Sequence, residues 1–200
     1  PDLLSDAVGE TWFTTGKVSV THDTRDNAFI PTEGHFVQAS YEQAFGDFSY
    51  PQIRGDAKQY FTLHERPDGQ GRQVLSLSGQ VGWTGDDTPI YERFFAGGYQ
   101  SFRGFDFRGV TPHQPGRPGI GIGGSWMALG SVQYQFPVTA DEMVSAVVFS
   151  DFGTVENDVA MDDFRLTLGA GLRVTIPAMG PVPIAVDWGI PVIKQDLDNE

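Results

Sequence analysis

Cysteine is absent from the 200 residues, which excludes a disulfide framework, a thiolate metal site and a cysteine nucleophile. No window holds 18 consecutive apolar residues, so no segment reads as a membrane-spanning helix. Cationic side chains are scarce: 13 Lys and Arg stand against 26 Asp and Glu, a formal net charge of −13. A phosphate-binding surface needs the reverse balance, so no nucleic acid partner is expected. The chain starts at Pro1 without a basic-then-apolar leader; the expectation is a processed product or a piece of a longer chain. What is abundant is aromatic: 12% of the residues, 15 of them Phe, which argues against disorder. The length suits one domain with a sizeable core.

The dominant pattern is alternation with period two. From Phe164 to Ile176 one face carries Phe164, Leu166, Leu168, Ala170, Leu172, Val174 and Ile176. The other carries Arg165, Thr167, Gly169, Gly171, Arg173 and Thr175. The same two-sidedness recurs with Val182, Ile184, Val186, Trp188, Ile190 and Val192, with Trp126 to Phe136, with Val144 to Phe152 and with Leu75 to Trp83. It is weaker through Trp12–His22, His35–Phe45 and Ala57–Leu63. About eight strands are predicted, near 11–22, 34–45, 55–65, 72–84, 125–137, 143–153, 164–177 and 181–192.

Most of these strands are about 10–13 residues long, whereas soluble strands average about 5–6 and a tilted membrane-crossing strand needs about 9–11. Turn signals stand at Pro31-Thr32-Glu33-Gly34, Pro67-Asp68-Gly69 and Pro177-Ala178-Met179-Gly180, while Glu156–Asp163 is longer and acidic. Short turns at one end and long polar loops at the other are the pattern of an outer-membrane barrel. Trp12, Trp83, Trp126, Trp188, Tyr41 and Tyr134 lie on or near the apolar faces, as aromatic girdles require. The predicted fold is all-β, an antiparallel up-and-down meander forming one domain over residues 1–200. A soluble sandwich or lipocalin-like barrel is the alternative, since both also alternate.

One connection, about 40 residues from Gly85 to Gly124, is too long for an ordinary loop. It carries Tyr91, Phe94, Phe95, Tyr99, Phe102, Phe105 and Phe107 interleaved with Arg93, Arg103 and Arg108. A solvated loop needs no such apolar anchors, so it is expected to fold back into the lumen. An eight-stranded closed barrel leaves room for side chains only; the loop therefore stays outside, or the barrel is larger.

At these residues a resemblance emerges. Phe94-Phe95-Ala96-Gly97-Gly98 followed by Ser101-Phe102-Arg103-Gly104-Phe105 resembles the lumen-loop motif of the BamA/TamA-type outer-membrane barrels, the bacterial surface antigen family. Asp23-Thr24-Arg25-Asp26-Asn27 with Pro31-Thr32-Glu33-Gly34 is similar to that family's Asp-x-Arg…Pro-Thr-x-Gly turn. Val148 to Val155 resembles its Asp-x-Gly strand end, and Gly169–Val174 with Pro177–Pro181 and Trp188–Pro191 its penultimate hairpin. The resemblance implies a sixteen-stranded barrel of which this chain supplies strands 8 to 15, the motif loop lying between strands 11 and 12. The terminal aromatic strand and the POTRA modules are then expected outside this chain.

The resemblance further implies roles. Arg103 is the residue expected to pin the loop in the lumen, with Gly104 permitting a tight turn, Phe105 packing the tip, and Gly97 and Gly98 completing the motif. Asp151, on the polar face of its strand, is the expected barrel-wall partner. The preceding strand offers Gln133 where the family has an acid, so one ion pair becomes a hydrogen bond. Asp23 and Arg25, with Pro31 and Gly34, are expected to be structural turn residues. Asp187 and Arg173 lie on the polar faces of consecutive strands and are candidate lumenal partners. The implied function is assistance in folding and inserting β-barrel proteins into the outer membrane, without cofactor or chemical turnover. Partners would be outer-membrane lipid and lipopolysaccharide, client β-barrel proteins and assembly-complex lipoproteins. A translocator of the same superfamily and a passive porin-like channel are the alternatives.

Other chemistry finds little support. His22, His35, His64 and His113 show no i, i+4 ligand spacing,. Gly119-Ile120-Gly121-Ile122-Gly123-Gly124 leads into a strand, so no helix dipole backs a phosphate cradle. No Gly-x-Ser-x-Gly elbow occurs,, and no metal site is expected. Glu156, Asp158, Asp162 and Asp163 are acidic enough to attract divalent cations, although such runs are commonly just solvated.

Overall fold

Alternating β-branched, aromatic and small polar residues favour long strands here, because each strand meets two different environments. The computed structural model describes residues 11–114, 116–176 and 182–199; the Pro177-Ala178-Met179-Gly180 turn read from the sequence lies outside them. The wall strands are β1 (Phe13–Asp23), β2 (Gly34–Gly46), β3 (Pro51–His64), β4 (Gln73–Thr84), β7 (Trp126–Pro137), β8 (Val144–Glu156), β9 (Arg165–Val174) and β10 (Ile184–Ile193). Inside the long connection, β5 (His113–Gln114) and β6 (Arg117–Gly121) form a separate small hairpin.

The wall is one antiparallel sheet in the order β1-β2-β3-β4-β7-β8-β9-β10, every neighbour pair sequential in the meander. β1 and β10 are its two edges among the described residues. The strands run 10 to 14 residues, enough for a tilted crossing of a bilayer. β3 begins at Pro51, earlier than the predicted 55; proline at a strand's first position removes no ladder bond. Pro191 in β10 coincides with a register shift between Pro191 and Ile193, as a residue without an N–H on an edge strand allows.

The faces sort as the alternation predicts. Side chains of the apolar face point away from everything else described: Val20 is 70% exposed and Ile190 71%. The opposite face holds the buried residues. Phe94, Ala96, Phe102, Phe105 and Val110 of the connection pack with Leu129 and Val155 of the wall, Met127 beside them. No second layer covers the apolar face among the described residues, so the two-layer sandwich alternative does not hold. An uncovered apolar face of this extent is what a strand wall presents to hydrocarbon.

The aromatic residues of the apolar faces gather toward the strand ends in part. Trp83 lies directly opposite Trp126 at the end where the long connection leaves the sheet, and Trp12 stands at that same end; Tyr134 and Phe136 stack at the turn end. Tyr41 joins the row of Trp83 and Trp126 through Ile53, and Trp188 pairs with Ala170 nearer mid-strand. One expectation needs correction: the connections are not sorted strictly by length. The 47–50 link at the loop end is tight, closed by the Ala44 N–H donating to the Tyr50 carbonyl at 2.9 Å. The three described turns at the other end lock into one another instead. Arg72 donates to Thr32 Oγ1 at 3.1 Å, Arg66 to the Ala140 carbonyl at 3.3 Å, and the Gly71 N–H to Glu142.

Single-cysteine variants test the orientation. An environment-sensitive label at Leu77→Cys or Leu168→Cys is expected to be quenched by lipid-borne quenchers in a bilayer. A label at Ser78→Cys, on the opposite face, is expected to be quenched by aqueous iodide. The reverse assignment refutes the outward-apolar wall.

Candidate functional site

The connection from Gly85 to Ser125 is built as a return loop. After a single 3-10 turn at Ile90–Glu92, Phe94 bridges Gly124, Ala96 bridges Val110, and Gly98 bridges Phe102. The Ser101 hydroxyl donates to the Gly97 carbonyl and accepts the Gly97 N–H, both at 3.0 Å. Gly97 has φ +117°, and a Cβ there would overlap the Asp106 carbonyl. The fold-back brings Phe102 and Phe105 edge to face at 5.0 Å in the cluster above the wall.

That packing aims Arg103 at the inner face, where all five of its side-chain N–H groups find acceptors. Nε and Nη2 donate to Asp151 Oδ2 at 2.8 Å and Oδ1 at 2.7 Å, a bidentate fork,. Nη1 donates to Gln133 Oε1 at 2.9 Å and to Asp187 Oδ2 at 3.2 Å. Nη2 also reaches Ser131 Oγ at 3.1 Å, while the Ser131 hydroxyl donates to Asp151 Oδ1 at 2.5 Å. The Arg103 backbone N–H adds a bond to Asp151 Oδ2 at 3.1 Å. The guanidinium carbon lies 3.4 Å over the Phe149 ring, so its flat face is covered as its edges are satisfied. Side-chain exposure is 12% for Arg103, 4% for Asp151 and 2% for Asp187, so the cluster is desolvated.

Registers explain the convergence. Asp151 lies opposite Ser131 on β7 and Thr167 on β9, all on the inner face. Gly104, at φ +95°, sits on β9 and β10: a Cβ would fall 2.8 Å from Thr167 Cγ2 and 3.1 Å from the Gly189 carbonyl carbon. Gly189 in turn lies beneath the Gly104 backbone. The loop thus approaches the wall backbone to backbone.

Gln133 and Asp151 both touch Arg103, and Arg173 pairs with Asp187 at 2.5 Å. Three contacts were not read from the sequence: Asp187 on Arg103, Ser131, and the Phe149 ring. The inward parity of each residue was available; the curvature bringing β10 to a loop that leaves from β4 was not. Of the expected aromatic anchors only Phe94, Phe102 and Phe105 are buried. Tyr99 is 60% and Phe107 82% exposed, because the loop packs its one apolar side on the wall and turns the other away. The acidic run is corrected too. Glu156 is buried, accepting the Thr154 hydroxyl at 2.5 Å and the Asp163 N–H at 3.2 Å, so it is a structural acceptor and not a solvated acid. At the loop end, Arg165 forks onto Asp198, both nearly inaccessible, and the Asp106 N–H donates to the Asn199 carbonyl at 3.0 Å.

The turn residues form a separate unit. Asp23 and Arg25 pair with each other at 2.7 Å, and the Arg25 guanidinium rests 4.9 Å over Phe36. Gly34 has φ +91°, where a Cβ would overlap the Thr24 carbonyl, and Pro31 precedes the caged Thr32. Asp26 accepts the Thr32 N–H at 2.8 Å, the Thr32 hydroxyl at 2.7 Å and the Glu33 N–H at 3.1 Å. Burial pushes the Asp26 carboxyl up, but these donors outweigh it and hold it below its usual range,. His22 and His35 stack with ring nitrogens 2.9 Å apart; among the described residues no group of three His, Asp or Glu converges as a metal site.

Arg103→Ala is expected to cost about 3–5 kcal/mol, because it leaves buried carboxylates uncompensated. Arg103→Lys should recover less than half, since a compact ammonium cannot serve four acceptor side chains. Protease cleavage within residues 97–110, with the wall intact, reads both. For Asp26 the folded value lies below the unfolded one, so its stabilisation is present at neutral pH and is lost as pH falls through the lowered value. The urea midpoint is expected to drop below about pH 4, with part of that drop missing in Asp26→Asn.

A model of the Omp85 superfamily domain matches residues 4–200. The chain is 28% identical over 208 residues to the outer membrane protein assembly factor BamA of Nitratidesulfovibrio vulgaris, covering 99% of this chain and 25% of that protein. It is 26% identical over 164 residues to the protein of the same description from Neisseria meningitidis, covering 76% and 20%. A SAM50-like protein of Schizosaccharomyces pombe is 31% identical over 149 residues, covering 68% and 30%. The chain therefore spans under a third of the length of these curated relatives. The crystal structure of BamA from Haemophilus ducreyi lacking POTRA domains 1–3 superposes with a TM-score of 0.76 at 20% identity, over 92% of this chain and 40% of that one. With a superfamily match running through nearly every residue and the same strand meander in a solved relative, the chain belongs to the Omp85 superfamily.

Proposed function

We propose that this chain is the lumen-loop half of an outer-membrane barrel that assists the folding and insertion of other β-barrel proteins. The observation that carries the reading is the docking of Arg103 on Asp151 beneath a loop packed on the inner face, while the apolar face looks outward. Two bacterial relatives described as outer membrane protein assembly factors, aligned over most of this chain, support it. The site does no bond-making chemistry in this reading. Its work is mechanical: a rigid loop braces the inner wall, so that the sheet keeps its curvature while client strands are handled elsewhere on the barrel. Client β-barrel proteins are the proposed partners, with outer-membrane lipid against the apolar face and assembly lipoproteins as further ones.

The test uses the gene's full-length product in its own bacterium. Replacing it with Arg103→Ala is expected to lower the folded, heat-modifiable fraction of several unrelated outer-membrane barrels at least about threefold. Loss of one exported protein with other barrels unchanged would assign a translocator. Undiminished barrel levels combined with altered conductance of the purified protein would assign a passive channel. Either result overturns the assembly reading.

A further inference from the structure

The inner face carries one feature that the Arg103–Asp151 pair does not require. Asp187 on β10 is only 2% exposed at its side chain, and its described partners are two arginines. Arg173 on β9 forks onto it, Nη1 to Oδ1 at 2.5 Å and Nη2 to Oδ2 at 3.0 Å. Arg103 of the loop takes Oδ2 from the other side at 3.2 Å. Gln133 bridges the same two arginines, accepting from Arg103 at 2.9 Å and from Arg173 at 3.4 Å. Position 133 is thus filled by a neutral amide at the point where both cations converge.

The charges close around this gap. Arg103 and Arg173 face Asp151 and Asp187, two against two, and a desolvated cluster tolerates little imbalance. Room for the second acid comes from its cross-strand neighbour. Asp187 lies directly opposite Gly171, and a Cβ on Gly171 would overlap Asp187 Oδ1. With any other residue there, the carboxylate could not lean from β10 toward β8 and the loop.

We propose that Asp187, oriented by Arg173, is a positioning residue for the lumen loop: it supplies from β10 the second anionic contact to Arg103 that Gln133 cannot supply from β7. Loop docking in this chain therefore spans β7, β8 and β10, tying the loop to the outermost described strand. Arg173 holds the Asp187 carboxylate in place through two hydrogen bonds, so the loop lock depends on a residue that makes no described hydrogen bond to the loop. The inference rests on the docked geometry of Arg103 and holds whichever client the barrel serves.

The experiment separates this from a plain β9–β10 cross-strand pair. Hydrogen exchange is followed on the full-length protein in nanodiscs, over residues 97–110 and, separately, over β9 and β10. Asp187→Asn is expected to speed exchange in the loop at least about tenfold. Adding Gln133→Glu to that variant returns an acid to Arg103 from β7, and is expected to bring the loop within about threefold of wild type. Arg173→Gln is expected to loosen the loop by an intermediate amount.

If Asp187 serves only β9–β10 pairing, Asp187→Asn speeds exchange in those strands while residues 97–110 keep the wild-type rate, whatever Gln133→Glu restores to the strands through Arg173; that result overturns the proposal. Unchanged loop exchange in Asp187→Asn overturns it as well. Should Asp187→Asn fail to fold, Arg173→Gln is read in its place: faster exchange over residues 97–110 supports the proposal, and loop exchange at the wild-type rate refutes it. Client assembly is not the readout, so the assembly reading can fail while this inference stands.

Discussion

A guanidinium taken out of water sets the terms for the rest of this molecule. Burial of a cation is tolerated when every N–H has an acceptor and the charge is balanced, and Arg103 meets both conditions within one side-chain length. The wall around it is composed accordingly. Ser131, Gln133, Asp151 and Asp187 supply oxygen, Phe149 covers the flat face, and Gly104 over Gly189 lets the backbones approach closely enough for the fork to reach. An ordinary side chain at either glycine would hold the loop off and leave the charge stranded, so the glycines and the acids form one requirement.

Around that polar centre the usual soluble arrangement is inverted. The long apolar faces are on the outside, and the cross-strand ladder makes the wall. The small buried apolar cluster belongs to the loop, with Phe94, Phe102, Phe105 and Val110 resting on Leu129 and Val155. This division assigns separate energetics. Hydrocarbon and backbone pairing hold the strands, while docking of the loop depends on a handful of apolar contacts and one charge cluster. A change at Arg103 or Asp151 can therefore alter the loop without unravelling the sheet. The tail supports the same loop from the other end, with Asp198 on Arg165 and Asn199 against Asp106 and Gly109.

Much of the fold was legible because period-two alternation is a local property. Strand number, strand length and which face is apolar follow from residues two apart, so the eight wall strands were found within a few residues. Errors fell where tertiary context acts. Pro51 extends β3 because an initial proline leaves the ladder intact, Tyr99 and Phe107 point away from the wall because a loop has two sides, and Glu156 is buried by the chain returning through Asp163. At the site, Arg103, Asp151 and Gln133 could be named from a motif and from parity along neighbouring strands.

What the sequence by itself determined is the two-sided character of each strand and the presence of one arginine-bearing loop too aromatic to remain in solvent; both depend on side-chain chemistry at short separation. What only the tertiary structure decided is which inward groups meet. Asp187 and Arg103 are 84 residues apart and sit on elements that share no hydrogen-bonded edge. Their contact depends on accumulated register and curvature across β7 to β10, a sum over the whole sheet that no local pattern encodes.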